Sequence, residues 1–81
     1  MNRIEALDMV RESISSVVPD ADVDALGPND TFREMLEMDS LDFLSFVEVL
    51  SERSGIRIED EDAARLTTLA GTADFLVSGT K

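Results

Sequence analysis

Apolar residues recur every three or four positions along three stretches of the chain. In NRIEALDMVRESISSVV, Ile4, Leu7, Val10, Ile14 and Val17 fall at helical spacing, and Asn2 with Glu5 has the form of a capping box. Pro19 disfavours helical backbone at Val18, so the first helix is expected to end there. A second helix is expected from the Asp39/Ser40 boundary to near Ser54, with Gly55 as a left-handed cap. IEDEDAARL favours a short third helix, with acids in its first turn where the helix dipole prefers them. Thr67 or Thr68 is expected to cap a fourth helix that runs towards Val77 and stops at Gly79. Gly71 inside it costs roughly 1 kcal/mol relative to Ala. No stretch sustains a two-residue alternation, so no strand is expected. The pattern predicts an all-α domain with three longer helices, one short helix and a long first loop. That loop, residues 19 to 38, is rich in Asp, Pro, Asn and Gly. Its expected anchors are Leu26, Phe32, Met35 and Leu36, and TFREML allows a short helical turn. Loops this long in small domains are more often functional than idle.

The segment LEMDSLDFLSFVEVL, residues 36–50, is the most apolar part of the chain and follows a serine. At about 100° per residue, Phe43, Leu44, Phe46, Val47 and Leu50 form one broad arc that is expected to be core. Leu41, Ser45, Glu48 and Glu52 lie opposite, with Asp42 and Val49 beside them. Leu41 is therefore a large apolar residue expected in water, directly after Ser40. A single exposed Leu is ordinary, but flanked by acids at a helix start it reads as a contact point.

Composition narrows the chemistry. Eighty-one residues make one domain, 1–81, and 43% hydrophobic content is enough for a core with a thin margin. With no Cys there is no disulfide framework or thiol nucleophile, and with no His the commonest general base and metal ligand are missing. No apolar run is long enough to span a bilayer, and none resembles a signal peptide. A cytosolic monomer without stable membrane insertion is the expectation. Acids outnumber bases 18 to 7, for a net charge of −11. Such a surface repels nucleic acid and suits basic protein partners, although acidity also serves solubility alone.

Asp20, Asp22 and Asp24 alternate as in a calcium loop. The position that needs Gly is Ala25, and the one that needs a bidentate Glu is Thr31, so no metal site is expected. Ser40 is different, because it alone among the serines combines a helix start with a mid-chain position after a long loop. Its plain role would be capping. A triad cannot be built without His, and the only lysine, Lys81, is at the tail, so Ser40 is no catalytic nucleophile and the chain no enzyme. Ser40 reads better as a residue acted upon, since a phosphate ester there would sit at the positive end of the helix dipole.

These residues resemble the acyl carrier proteins. DSLD opening a second helix, followed by IEDEDAARLTTL in the place of that family's I-x-D-E-x-A…TT region, carries the likeness, which covers most of the chain. The resemblance implies an acyl-carrier-like four-helix bundle. It implies a 4′-phosphopantetheine arm, taken from coenzyme A by a phosphopantetheinyl transferase and attached at Ser40 between Asp39 and Leu41, which holds an acyl group as a thioester. It implies docking of acyl-transferring or synthase enzymes, through their basic patches, on Leu41, Asp42, Glu48 and Glu52. It also implies an acyl pocket whose wall draws Phe43, Leu44, Phe46, Val47 and Leu50 from the second helix. Phe32 and Leu36 would come from the loop, and Leu66, Leu69 and Phe75 from the end of the chain. The same residues would pack the core in any case.

Two departures stand out. Glu37 occupies the place, three residues before the serine, where the family usually has Gly, so the approach to the helix is expected to bend differently. Ser45 stands where housekeeping fatty-acid carriers commonly have an acid, and an acid, Glu48, follows about one turn later. A carrier dedicated to one lipid or polyketide pathway is the expectation, with short tails favouring a free protein. A peptidyl or aryl carrier and an unmodified helical interaction module are the alternatives.

Overall fold

A computed structural model describes residues 1–79; Lys81, excluded above as half of a dyad, lies outside them. Helix α1 spans Arg3–Val17. A single 3-10 turn follows at Val23–Ala25, then a four-residue helix α2, Phe32–Met35. Helix α3 spans Ser40–Ser54, α4 Asp60–Ala63 and α5 Leu69–Gly79. This is the expected helical bundle of three longer helices, with two short ones where the sequence favoured one and allowed another. Among the described residues the only extended pairing is an isolated bridge between Thr31 and Thr68.

The local signals behave as their chemistry dictates. Asn2 Oδ1 accepts from the Glu5 amide at 2.8 Å, but the Glu5 carboxylate is taken by the Asn2 side-chain amide at 3.1 Å, so the box is closed by side chains. Helix α1 ends at Val18, before Pro19. Gly55 caps α3 at φ 71°, a backbone that costs an L side chain strain. Thr68, not Thr67, caps α5: its Oγ1 accepts from the Gly71 amide at 2.9 Å. The helix then continues through Gly79, past the expected Val77.

Helix α1 is the spine, packed against both α3 and α5. Its buried face is Ala6, Val10, Ser13 and Ile14, meeting Phe46 and Leu50 of α3 and Leu69, Ala73 and Leu76 of α5. The two buried hydroxyls are satisfied within their own helices: Ser13 donates to the Met9 carbonyl at 2.8 Å and Thr72 to the Thr68 carbonyl at 2.7 Å. The long loop is fastened by Leu26 and Phe32, both buried, and by the Ala70 amide donating to the Pro28 carbonyl at 2.9 Å. Phe32 meets Phe46 edge-on, with centroids 5.2 Å apart.

Three expected core residues are not core. Ile4 is 73% exposed because it lies about 120° around the helix from Val10. Leu44 is 54% exposed for the same reason: the buried arc of α3 centres on Phe46 and Leu50, and Leu44 is about 120° from Leu50. The arc drawn from sequence was too broad. Met35, the last residue of α2, is 60% exposed, whereas Met38, which was not among the expected anchors, is buried.

These burials imply a sharp contrast. Phe46→Ala is expected to lower the unfolding free energy by about 3–5 kcal/mol, whereas Leu44→Ala changes it by less than about 0.5 kcal/mol. Urea denaturation followed by circular dichroism measures both, and comparable losses would contradict the packing described.

Candidate functional site

Ser40 is the first residue of α3, and capping falls to its neighbour. Asp39 is extended, at φ −80° and ψ −178°, and its Oδ1 accepts from the Asp42 amide at 2.8 Å. The first intrahelical bond runs from the Phe43 amide to the Asp39 carbonyl at 2.9 Å. Position N1 therefore carries a side chain that the helix does not use. The Ser40 hydroxyl is exposed and accepts one long hydrogen bond, 3.4 Å, from Arg33 Nη2. A helix start also leaves its first amides without helical partners and carries positive dipole. A phosphate ester fits here: the oxygen is open to solvent, uncommitted to the fold, and beside a guanidinium.

The backbone before Ser40 explains where Arg33 sits. Helix α2 ends in a Schellman turn: the Met38 amide donates to the Arg33 carbonyl at 2.9 Å and the Glu37 amide to the Glu34 carbonyl at 3.2 Å. The turn needs a left-handed residue, and Glu37 supplies it at φ 53°. The chain thus takes the left-handed backbone that glycine favours without having glycine. Arg33 Nε also donates to the Met38 carbonyl at 3.4 Å, and the guanidinium lies 4.9 Å from the centroid of the Phe43 ring.

Beside this corner is a cavity of about 290 Å³ lined by Arg33, Phe43, Asp60, Ala63, Ala64, Leu66 and Thr67. Ala63 at the end of α4 and the following Ala64 lie on its lining with the Phe43 ring and Leu66. Of the ten wall residues expected from sequence, Phe43 and Leu66 line it. Phe32, Phe46, Leu50 and Leu69 are wholly buried in the packed core, and Leu36 is half-buried against it. Val47 lines a separate cavity of about 410 Å³ with Glu48, Ser51, Glu52 and Ile58, and Phe75 another of about 340 Å³. Leu44 belongs to the outer face. The expected wall is thus divided among a closed core and three hollows.

The outer face of α3 gathers the expected docking residues. Leu41 is 73% exposed, Glu48 and Glu52 are exposed, Asp42 is half-buried, and Leu44 joins them. Sequence reasoning missed Arg33. It is the only base between Arg11 and Arg53, a stretch holding eleven acids, and that isolation was visible. Among the described residues no cluster of three or more carboxylates is arranged to hold a metal, and no helix is long and apolar enough to cross a membrane.

An exposed serine on a helix start thus lies beside a cation and a small cavity. The family model described as the phosphopantetheine attachment site matches residues 8–76. The acyl carrier protein of Rubrobacter xylanophilus is 37% identical over 76 residues, covering 85% of this chain and 94% of that one. Those of Thermosynechococcus vestitus and Streptomyces coelicolor are each 33% identical; the alignments cover 94% and 89% of this chain and 93% and 78% of the relatives. The chain belongs to the acyl carrier protein family: it is a carrier, not an enzyme, and its prosthetic group is a covalent 4′-phosphopantetheine.

The left-handed Glu37 carries its own expectation. An L side chain there costs about 1–2 kcal/mol of strain, partly offset by the freedom glycine adds to the unfolded chain. Glu37→Gly is therefore expected to stabilise the fold by about 0.5–1 kcal/mol. A lower urea midpoint in this variant would contradict the assignment.

Proposed function

We propose that Ser40 bears the phosphopantetheine arm and that the protein presents acyl groups to the enzymes of one dedicated lipid or polyketide pathway. The observation that carries the attachment site is the division of labour at the start of α3: Asp39 caps and Ser40 is left free. In loading, the Ser40 hydroxyl oxygen forms the new bond to the pantetheine-side phosphorus of coenzyme A. The pyrophosphate bond breaks, adenosine bisphosphate leaves, and the hydroxyl proton passes to the transferase. The arm, once attached, supplies a terminal thiol that holds the acyl group as a thioester. This chain's residues do the rest. The dipole of α3 favours the anion next to Ser40, and the apolar wall of Phe43 and Leu66 gives the arm or its cargo a place out of water beside the attachment point.

Docking follows from the outer face of α3. Leu41 and Leu44 supply apolar contact next to Ser40, and Asp42, Glu48 and Glu52 supply charge for basic patches on the loading transferase and on acyl-transferring or synthase enzymes. The charge pattern supports a dedicated partner. Ser45 and Glu48 are both exposed on this face, so the shift of the acid along the helix, roughly 5 Å, is presented directly to a partner. The named relatives are acyl carrier proteins, which favours acyl over aminoacyl cargo.

Incubation with coenzyme A and a broad-range phosphopantetheinyl transferase is expected to add one phosphopantetheine to the intact mass, and none to Ser40→Ala. A gain in both would move the site elsewhere, and no gain in either would support the unmodified module. For the pathway, a housekeeping transacylase is expected to acylate the loaded protein more slowly than the double variant Ser45→Glu/Glu48→Met. Equal rates would remove the case for specialisation.

A further inference from the structure

The cation at the Ser40 corner differs from four of the other five arginines, which pair with carboxylates. Arg3 pairs with Asp74, Arg11 with Asp8, Arg53 with Glu12 and Arg57 with Glu59. Arg33, like Arg65, makes no carboxylate pair among the described residues, although Glu34, Glu37, Asp39 and Asp42 are its neighbours in sequence. It is held instead by neutral partners: the Met38 carbonyl at 3.4 Å, the face of Phe43 at 4.9 Å and the Ser40 hydroxyl at 3.4 Å. The Schellman turn through Glu37 fixes the backbone that carries it. A cation anchored without an anion, in a chain of net charge −11, has one of its donors facing the oxygen that is to be esterified.

We propose that Arg33 is the counter-ion of the phosphodiester that joins the arm to Ser40. This rests on Ser40 being the attachment residue. Esterification puts a phosphorus directly on Ser40 Oγ, and its two non-bridging oxygens share one negative charge. Those oxygens come within reach of the Arg33 fork, whose parallel N–H groups suit a phosphodiester. The need is electrostatic. The new anion joins the carboxylates of Asp39 and Asp42 on one helical turn, and the dipole of α3 and the Arg33 guanidinium are the opposing positive charges there. Phe43 takes part as the plane on which the guanidinium stacks, a role that suits Arg better than Lys. Arg33 therefore sets the direction in which the arm leaves the helix, towards the cavity that Arg33 and Phe43 share.

The test loads the wild type, Arg33→Lys, Arg33→Gln and, as a distant control, Arg57→Gln from coenzyme A, with loading scored by intact mass. In the wild type, the NMR resonance of the Arg33 Nε–H group is expected to move on loading while that of Arg57 stays. At low salt the change in Tm caused by the arm is expected to be about 2–4 °C more favourable in the wild type than in Arg33→Gln. Arg33→Lys falls between, Arg57→Gln follows the wild type, and the difference shrinks at high salt. A wild type that gains no mass removes Ser40 as the attachment residue, and this proposal with it. A loaded wild type whose Arg33 resonance does not move overturns the counter-ion alone, as does an arm-induced shift equal to that of Arg33→Gln.

Discussion

The start of α3 depends on the hydrogen bond from the Asp42 amide to the Asp39 carboxylate. Helix starts need an acceptor for their free amides, and serine is among the residues that commonly supply one. Here the aspartate before it has taken that duty, so Ser40 keeps helical backbone and an idle hydroxyl. A serine engaged in capping would be turned inward across the first turn. This one stands at the start of a fifteen-residue helix, at the positive end of its dipole and open to solvent.

The loop that precedes it is built to hold that geometry. Phe32 is driven into the core against Phe46, and the bridge between Thr31 and Thr68 ties the same corner to the start of α5. The backbone then turns through Glu37 and delivers Met38 to the interior, Asp39 to the cap and Ser40 to solvent. The half-buried Leu36 and the buried Met38 flank the strained residue and hold this succession in place. The strain at Glu37 is sustained by that packing.

Helix positions were largely legible in the sequence, because caps and breakers are local chemistry: Asn2, Pro19, Asp39, Gly55 and Thr68 all act where their side chains dictate. The placement of side chains was less so. Periodicity marks an apolar side of a helix but not how wide a strip its neighbours cover. That is why Ile4 and Leu44 were misjudged, each by about a third of a turn. Glu37 was noticed as a departure from a family glycine, yet whether the backbone would follow the side chain or the turn depends on the two hydrogen bonds closing α2, which join residues only once they are folded. Arg33 was missed for a related reason. Its relation to Ser40 arises from the turn between them, and a lone base in an acidic stretch says nothing by itself about which oxygen it faces.

Because α1 touches both α3 and α5, it acts as a keel. The side of the molecule facing α4 has no comparable support: that helix has four residues, three of them acidic, and none is buried. The cavity beside Phe43 is lined there by Asp60 and Ala63, and its wall reaches the core at the buried Leu66. One side of the hollow beside Phe43 thus rests on a helix with no residue in the core.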